Sequence, residues 1–360
     1  MHGFSTYAPH AASMPLCVFA DKSAGAQDYD HSNSLAHPIS RFGGLKLIRR
    51  RQKAQAIKSL CQQGRLRAIF ADSWKSIEHL GSDLNVPIIC FAHGNEFPQN
   101  GKKDARIARA LTRANQIIAV SRPTLERVKR LTAMHDHIHL IHPPIDIAPT
   151  LTKSAEQDMD TLWPVRGPAS QEASGQACRL LCLSRLIDWK GIDTSIKALH
   201  RLLSEGMKAH LMIAGDGPQE NELRNLVAQY NMETHVDFIG RIEGEAKYAL
   251  FKSADIFMQP GRRIGDQCEG FGITYLEAAQ MGCPSISGCE GGAVDAVDHG
   301  KTGLVIDGTS IDQVADAVKR LVKDTSLYKS MSDNAKIKAD NALWSHKIYE
   351  MIDLIQEGQR

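Results

Sequence analysis

Short apolar segments alternate with longer amphipathic segments along the chain, and the alternation is clearest in the second half. Each apolar segment of strand length is followed by a stretch with the 3.6-residue periodicity of a helix. Strands that alternate with helices at this spacing predict parallel βαβ units and a doubly wound sheet. The predicted strands of this half are CRLLCLSRL (178–186), HLMIAG (210–215), VDFIG (236–240), DIFMQP (255–260) and CPSISG (283–288).

The first half shows the same alternation more faintly, which predicts a second domain of the same α/β class. A chain of 360 residues also exceeds the size at which a single hydrophobic core usually stops growing. The predicted strands of this half are PLCVFA (15–20), AIFADS (68–73), PIICFAHG (87–94), QIIAVS (116–121) and IHLIHPP (138–144).

A segment rich in Ser, Gln, Glu and Pro separates the halves and lacks a clear period, which indicates an interdomain connection. The chain closes with an amphipathic helix, ALWSHKIYEMIDLIQ, that is long enough to pack against either domain or to cross back to the first. Two Rossmann-like domains that face each other place a ligand cleft at the carboxyl ends of both sheets. The predicted domains are 1–145 and 178–340, with the connection over 146–177 and the final helix over 341–360.

Composition narrows the class of protein. The chain is 42% hydrophobic and 23% charged, which is typical of soluble globular proteins. No apolar stretch approaches the roughly 18 residues that favour a membrane-spanning helix, and the first residues lack the pattern of a signal peptide. The eight cysteines include no CxxC pair. We therefore expect neither a disulfide framework nor a zinc site, and we predict a cytoplasmic location.

The net charge of +2 conceals an asymmetry. Residues 1–150 contain 20 Lys and Arg against 11 Asp and Glu, a charge of +9, whereas residues 151–360 contain 23 against 30, a charge of −7. Two basic stretches, residues 43–64 and 101–116, contribute much of the positive charge of the first half. Such a surface is either simply solvated or docks on anionic lipids at the inner face of the plasma membrane. Nucleic acid is disfavoured because the basic segments lack interleaved aromatic residues.

Candidate chemistry begins with CEGFGITYLEAAQMGCPSIS (268–287), which contains two glutamates eight positions apart. The Gly270-Phe271-Gly272 turn lets the backbone approach a ligand, and a helix that begins near Ile273 directs its first N–H groups toward a phosphate. Glu277 lies in an apolar run of that helix, where an unpaired carboxylate is costly to bury. It can accept two hydrogen bonds from a vicinal diol such as a ribose, while Glu269 reaches other hydroxyl groups. The alternative is that Glu277 is exposed and Glu269 is an ordinary charge at the helix start.

Two further loops follow predicted strands of the second half. SRLIDWKG (184–191) contains Arg185 and Lys190, which form an anion site with the adjacent helix amides or else are ordinary surface charges. AGDGPQENEL (214–223) contains Gly215 and Asp216 in a turn that either lines a ligand or simply connects a strand to a helix. The motif does not match GxGxxG, so a dinucleotide fingerprint is not supported.

Polar residues also follow predicted strands in the first half. FAHGNEFP (91–98) ends an apolar strand with His93, Asn95 and Glu96, although a lone histidine is more often structural. Ser121 stands where a strand gives way to a helix, as a helix cap or a ligand contact. The candidate ligand contacts of the first half also include Trp74, beside Asn95, Glu96 and Ser121.

These motifs resemble the retaining family 4 glycosyltransferases of the GT-B fold. SRLIDWKG, AGDGP, VDFIGRI, SADIFMQP, the glutamate pair around Gly-Phe-Gly and GCPSISG occur there in the same order, and the resemblance covers about residues 68–355. The stretch QPGRRIGDQCEGFGITYLEAA is similar to bacterial mannosyltransferases of phosphatidylinositol-mannoside and lipopolysaccharide assembly. The resemblance implies two Rossmann-like domains facing across a cleft. It also implies transfer of a hexose, mannose or similar, from a nucleotide diphosphate sugar to a lipid-linked or polysaccharide acceptor.

The resemblance implies a role for each candidate residue. Arg185 and Lys190 would neutralise the diphosphate of the leaving nucleotide, and their loss would cost about tenfold to a hundredfold in rate, as expected for charge-assisted hydrogen bonds. Glu277 would hold the ribose hydroxyls, and Glu269 would bind the transferred sugar. The other implied contacts are the backbone amides of Phe271, Gly272 and Ile273 with the sugar or phosphate, the base near Arg241 and Ile242, and His93 beside the anomeric centre. The acceptor-side candidates are then Trp74, Asn95, Glu96 and Ser121.

No metal or cofactor is expected beyond the GDP- or UDP-linked donor. The only aspartate pairs with DXD-like spacing, Asp28/Asp30 and Asp158/Asp160, lie outside the predicted cleft strands. The family retains the anomeric configuration, which implies front-face attack in which the leaving phosphate takes the proton of the acceptor.

The opening of the chain departs from the family pattern. Family members begin with a strand, a Gly-Gly loop and a helix, whereas the distance from PLCVFA to AIFADS fits a start at the second strand. The first β-α unit is therefore predicted to be missing, with Gly25 and Gly43-Gly44 as poor substitutes for its loop. This leaves two alternatives to an active transferase, a catalytically inactive GT-B binding subunit and a nucleotide-sugar epimerase of the same fold.

Overall fold

The structure, a computed structural model, describes residues 2–12, 15–22, 37–81, 83–99, 101–132, 135–163 and 177–358. The chain divides into two compact units. Unit 1 comprises Met1–Asp146 with Leu343–Arg360, and unit 2 comprises Ile147–Ala342. Both units contain parallel sheets with helices between the strands, which confirms the predicted α/β class.

Unit 1 holds two groups of parallel strands. Its strands are β1 (Val18–Asp21), β2 (Ile39–Phe42), β3 (Ile69–Ala71), β4 (Ile88–Ala92), β5 (Gln116–Ala119) and β6 (Ile138–Leu140). Its helices before the final segment are α1 (His2–Ala12), α2 (Lys46–Gln62), α3 (Trp74–Ile77), α4 (Asp104–Leu111) and α5 (Arg122–Leu131). Strands β3 to β6 form one sheet in sequential order, and β1 pairs only with β2. The prediction that a first β-α unit is missing stays a prediction.

Unit 2 contains a six-stranded parallel sheet. Its strands are β7 (Cys178–Leu183), β8 (Ala209–Ala214), β9 (Val236–Gly240), β10 (Ile256–Gln259), β11 (Ser285–Gly288) and β12 (Gly303–Ile306). Its helices are α6 (Lys153–Thr161), α7 (Ile192–Ser204), α8 (Glu220–Gln229), α9 (Gly244–Ser253), α10 (Ile273–Gln280), α11 (Ala293–Ala296), α12 (Ile311–Lys323) and α13 (Thr325–Asn341).

The strand order of this sheet is β12-β11-β10-β7-β8-β9. Strands β7, β8 and β9 therefore follow one another toward one edge of the sheet, and β10, β11 and β12 follow one another toward the other edge. This is the strand order of a dinucleotide-binding fold. Strands β8, β10 and β11 are buried along their whole length, as expected for apolar strands covered by helices on both faces. The point where the order reverses, between β7 and β10, is where such sheets bind ligands.

The last helix, α14 (Trp344–Glu357), belongs to unit 1. The Trp344 amide donates to the Ile145 carbonyl at 3.0 Å. The apolar face of α14, including Ile348 and Met351, packs in one core cluster with Phe4 and Ile89. None of the helices in the described ranges combines the length and the apolar character needed to span a bilayer.

Candidate functional site

The loops that follow β7 and β10 meet at the point where the strand order of unit 2 reverses. Their backbones are in direct contact, because the Arg262 amide donates to the Trp189 carbonyl at 2.9 Å. Gly191 has a φ of +72°, and a Cβ atom there would lie 1.9 Å from the Pro260 carbonyl oxygen. Gly288 is packed as closely, since a Cβ atom there would lie 1.7 Å from the Gly261 carbonyl oxygen. Only residues without side chains allow this approach, so the two loops form one surface.

A largely buried carboxylate, that of Glu269, lies at this junction. Lys190 Nζ donates to Glu269 Oε2 at 2.6 Å, and Gln259 Nε2 donates to the same oxygen at 2.9 Å. The Lys190 and Glu269 side chains are 15% and 13% exposed. The sequence predicted both charged residues but not their pairing, and it missed Gln259, whose only signal is a polar residue at the end of a buried strand. We refer to Lys190, Glu269 and Gln259 as the switch-point cluster.

Buried polar atoms extend the switch-point cluster toward β11. Gln259 and Ser287 are partners in register on β10 and β11, so their side chains share a face of the sheet. Gln259 Oε1 and Ser287 Oγ are both buried and have no hydrogen-bond partner among the described residues. Tyr275 Oη donates to the Gln259 carbonyl at 2.6 Å. Burial, and then the nearby charge of Glu269, raise the pKa of Tyr275 well above its usual range, so the phenol remains neutral.

Helix α10 begins directly after the turn that carries Glu269. The N-cap residue, Gly272, has a φ of +94°, a conformation that favours glycine. The Glu269 carbonyl accepts a hydrogen bond from the Gly292 amide at 2.8 Å, which anchors the turn against the segment after β11. The first amides of a helix have no partner within the helix. The predicted helix start at Ile273 is therefore correct, and it lies beside the switch-point cluster.

Glu277 is paired with a lysine from a different helix. Lys247 Nζ on α9 donates to Glu277 Oε1 at 2.7 Å, and the two side chains are 21% and 18% exposed. This pairing shows how the apolar helix tolerates the carboxylate. Lys247, which follows the VDFIG strand by seven residues, was not predicted from the sequence. The predicted contact of Glu277 with a ribose stays a prediction.

Two charged residues predicted in the loops after β7 and β8, Arg185 and Asp216, lie at the surface. Arg185 is exposed, and no ion pair with it is found in the part of the chain that the structure describes. Asp216 is exposed, and its carbonyl accepts from the Leu186 amide at 2.7 Å. A Cβ atom on Gly215 would lie 1.9 Å from the Ser184 carbonyl oxygen, so this turn packs against the loop after β7.

The predicted base-binding residues follow β9. Arg241 forms an exposed ion pair with Glu243, and Ile242 is partly buried. Because a surface pair of this kind contributes little free energy, Arg241 can exchange its partner at little cost.

In unit 1, His93 follows β4. More than a third of the residue is exposed, and its ring stacks against Phe91 with centroids 6.3 Å apart. Partial burial lowers the pKa of His93 from its usual value, while the charges of Glu96 and Asp72 act in the opposite direction. Asn95 is exposed, and Glu96 is partly buried, 3.5 Å from Lys75 Nζ.

Two acceptor-side candidates of unit 1 are unsuited to contact a ligand. Trp74 is 2% exposed in the core of unit 1, where its indole N–H donates to the Glu96 carbonyl at 3.2 Å. Ser121 is fully buried at the N-cap position of α5, with its hydroxyl 2.9 Å from the Thr124 hydroxyl. We therefore withdraw both as acceptor contacts, because the packing of unit 1 already satisfies them.

The described residues contain no group of three or more His, Cys, Asp or Glu side chains placed to hold a metal ion. Asp28 and Asp30 lie outside the described residues. Asp160 is engaged at the surface, where it accepts from Arg179 at 2.6 Å.

A doubly wound parallel sheet with paired charges at its switch point is typical of nucleotide-binding α/β proteins. Comparison with known families agrees with this class. Residues 12–148 match the family described as Glycosyltransferase Family 4, and residues 169–338 match the family described as Glycosyl transferases group 1. The chain belongs to these glycosyltransferases, and the predicted family is confirmed.

Curated relatives include mannosyltransferases. The GDP-mannose-dependent alpha-(1-6)-phosphatidylinositol monomannoside mannosyltransferase of Mycolicibacterium smegmatis is 28% identical over 355 residues, which cover 96% of this chain and 91% of that protein. The protein of the same description from Mycobacterium tuberculosis (strain H37Rv) is 42% identical over 152 residues, 42% of this chain. That match spans only 40% of the length of the M. tuberculosis protein.

Solved structures confirm the predicted GT-B fold. The crystal structure of Anabaena Alr3699/HepE in complex with UDP and glucose matches with a TM-score of 0.75 and 18% identity, over 98% of this chain and 94% of that one. Sucrose-phosphate synthase from Thermosynechococcus elongatus matches with a TM-score of 0.72 and 18% identity, over 96% and 98% of the two chains. At this identity the likeness establishes the fold alone.

Proposed function

We propose that the chain transfers a hexose, mannose in particular, from a nucleotide diphosphate sugar to a lipid-linked or polysaccharide acceptor, with retention of the anomeric configuration. The observation that carries the proposal is the switch-point cluster, which places a lysine and a glutamate beside the first turn of α10. The mannosyltransferase relatives support the choice of sugar and GDP as the nucleotide. They also favour transfer over the epimerase and inactive-subunit alternatives.

The reaction requires charge stabilisation on the departing diphosphate. The bond between the anomeric carbon and the phosphate oxygen breaks, and its electron pair passes to the diphosphate. The acceptor oxygen bonds to the same face of that carbon, and its proton passes to the leaving phosphate oxygen. In this proposal Lys190, Arg185 and the first amides of α10 face the developing negative charge, where preorganised donors act most strongly. Glu269 binds the sugar hydroxyls.

The nucleotide is expected to replace a lysine as the partner of Glu277. A ribose diol donates two hydrogen bonds to a carboxylate, and Lys247 is then released toward the base or the solvent. The proposed donor contacts also include Asp216, Arg241 and Ile242, and the proposed acceptor contacts are Asn95 and Glu96. No metal is required in this proposal, since cations of the chain face the diphosphate.

Titration calorimetry with GDP and UDP tests the donor site. We expect GDP to bind, Glu277→Ala to weaken binding about 10- to 100-fold through loss of two charge-assisted hydrogen bonds, and Arg185→Ala to weaken it about tenfold. Glu220→Ala and Arg224→Ala are matched controls, because these residues form an exposed pair on α8 in the same unit. Failure of both nucleotides to bind at millimolar concentration would exclude the proposed donor site.

We propose further that unit 1 docks on an anionic membrane surface at the inner face of the plasma membrane. The start of α2 leaves three large apolar side chains in solvent, with Leu45 75%, Leu47 62% and Ile48 49% exposed. Basic residues flank them in the sequence of α2, and none of the residues of α2 is buried. Apolar side chains flanked by cations are typical of helices that lie at a lipid interface. A lipid-linked acceptor would be reached from this position.

Vesicle sedimentation tests the docking surface. Leu47→Ser with Ile48→Ser is expected to reduce binding to phosphatidylglycerol vesicles about tenfold or more, because two apolar side chains no longer enter the interface. Ile337→Ser is the matched control, since Ile337 on α13 of unit 2 is 61% exposed. Equal binding of both variants and the unmodified protein would contradict docking through α2.

A further inference from the structure

Unit 1 contains a strongly basic pocket that the proposed transfer reaction does not use. The pocket has a volume of about 330 Å³ and lies between the end of α3 and helix α4. Its lining residues are Glu78, His79, Arg106, Arg109, Ala110 and Arg113. We propose that this pocket binds the phosphate of an anionic phospholipid headgroup.

The only carboxylate that lines the pocket, Glu78, already accepts hydrogen bonds from two arginines. Glu78 accepts hydrogen bonds from Arg106 through Nε and, at 2.9 Å, through Nη2, and from Arg50 Nη1 at 3.2 Å. The hydrogen bond from Arg106 is the main cause that lowers the pKa of Glu78, so the carboxylate stays ionised and holds both guanidinium groups in place. The Arg106 guanidinium also lies 5.6 Å from the centroid of the Trp74 ring. Arg50 and Arg106 are therefore fixed before any ligand arrives.

The remaining cations of the pocket are not neutralised. No carboxylate pairs with Arg109 or Arg113 among the residues that the structure describes. His79 Nε2 lies 3.4 Å from Arg50 Nη1, so the ring adds a further polar group to the same wall. Three arginines thus line the pocket, and a fourth, Arg50, contacts its single glutamate. The planar guanidinium group matches the oxygen geometry of phosphate and binds it in a bidentate manner, so a phosphate ester is the class of ligand that this set recognises.

The apolar start of α2 indicates where the phosphate comes from. Leu47 precedes Arg50 by three residues, so the two side chains lie on the same side of the helix. A phosphate held by the arginines would therefore have exposed apolar side chains beside it, where the acyl chains of a lipid can pack. A soluble phosphate ester would gain nothing from these side chains. This choice of a lipid source depends on the proposed membrane docking of unit 1, whereas the phosphate site itself does not.

The decisive double variant replaces only the two arginines that have no carboxylate partner among the described residues. Arg109→Gln with Arg113→Gln leaves the Glu78 pairs with Arg50 and Arg106 intact, so the fold is expected to persist. Lys129→Gln with Arg130→Gln removes the same charge from α5 of the same unit and is the matched control. Binding is measured to glycerol 3-phosphate, and to phosphatidylcholine vesicles with and without phosphatidylglycerol. We expect the pocket variant to bind both phosphate probes about tenfold or more weakly, and the control to stay within about twofold.

The possible outcomes distinguish phosphate binding in the pocket from diffuse charge attraction, and a lipid from a soluble phosphate. Equal loss in both double variants would show diffuse charge attraction and would overturn the pocket. Loss of glycerol 3-phosphate binding without loss of vesicle binding would overturn the lipid source. GDP affinity measured on the same variants reports the donor site independently, so a failed pocket and a failed transferase are distinguishable.

A second variant is expected to change the affinity for glycerol 3-phosphate in the opposite direction. Glu78→Gln removes the negative charge and frees the Arg50 and Arg106 guanidinium groups for the phosphate, so glycerol 3-phosphate is expected to bind several-fold more tightly. A thermal unfolding curve confirms that the variant is folded. Unchanged binding by folded Glu78→Gln would mean that the Arg50 and Arg106 guanidinium groups do not contact the phosphate, and the proposed site would be wrong.

Discussion

Replacement of Lys190 by alanine is expected to lower the rate of sugar transfer about a hundredfold, the effect of losing one preorganised charge at the reacting centre. The substitution removes the ammonium group that the proposed mechanism aims at the departing diphosphate. It also leaves Glu269, 13% exposed, with the Gln259 amide as its only side-chain partner among the residues that the structure describes. An uncompensated carboxylate beside the phosphates repels them. Both effects act on the same step, so nucleotide binding and rate should fall together.

A double-mutant cycle distinguishes this coupling from two independent losses. Lys190→Ala, Glu269→Gln and the double variant are compared by kcat/KM with GDP-mannose and by calorimetry with GDP. Because the residues are in contact, the double variant should lose less than the product of the two single losses, by about fivefold or more. Neutralising Glu269 should also restore part of the GDP affinity that Lys190→Ala removes. Lys197→Ala, which removes a surface pair with Asp193 on α7, is the control. Purely multiplicative losses would contradict a role for the pair as a unit.

The sequence predicted most of the sheet because buried parallel strands are continuous apolar runs. The segment VDFIG coincides with β9, and each of the other predicted strands overlaps an observed one. Strands β2 and β12 were missed. β2 (ISRF) carries two polar residues and pairs only with β1, and β12 (GLVI) has four residues at the sheet edge, so neither has a periodic signal.

The candidate site was predicted in part, for a different physical reason. Glu277 stands out because a carboxylate in an apolar run needs a partner, and Glu269 because it stands beside a Gly-Phe-Gly turn; both features are visible in a single sequence. The partner is not visible, because Lys247 reaches Glu277 only through the packing of α9 near α10. Trp74 was predicted as a ligand contact, but it is buried. An aromatic residue after a strand resembles a ligand platform, but whether its ring points into the core depends on neighbouring elements.

The glycine that follows Lys190 provides the largest expected effect on stability. Gly191→Ala is expected to destabilise unit 2 by about 3–5 kcal/mol, combining the cost of the left-handed conformation with that of overpacking. The Cβ atom would lie 1.9 Å from the Pro260 carbonyl oxygen, and no side-chain rotation can relieve a contact between two backbones. The loops after β7 and β10 would have to separate. The unfolding midpoint should fall by about 10 °C, and GDP affinity should fall because Lys190 and Glu269 move apart.

Gly206→Ala isolates the conformational part of that cost. Gly206 has a φ of +84°, close to that of Gly191, but a Cβ atom there would have no neighbour within 4 Å. Its substitution should therefore cost only about 1–2 kcal/mol and leave GDP binding unchanged. The difference between the two variants measures the contact between the loops. Similar losses of thermal stability in both, with GDP affinity intact in Gly191→Ala, would mean that the two loops can part without disturbing the switch-point cluster. The close backbone packing would then have no role in positioning Lys190 against Glu269.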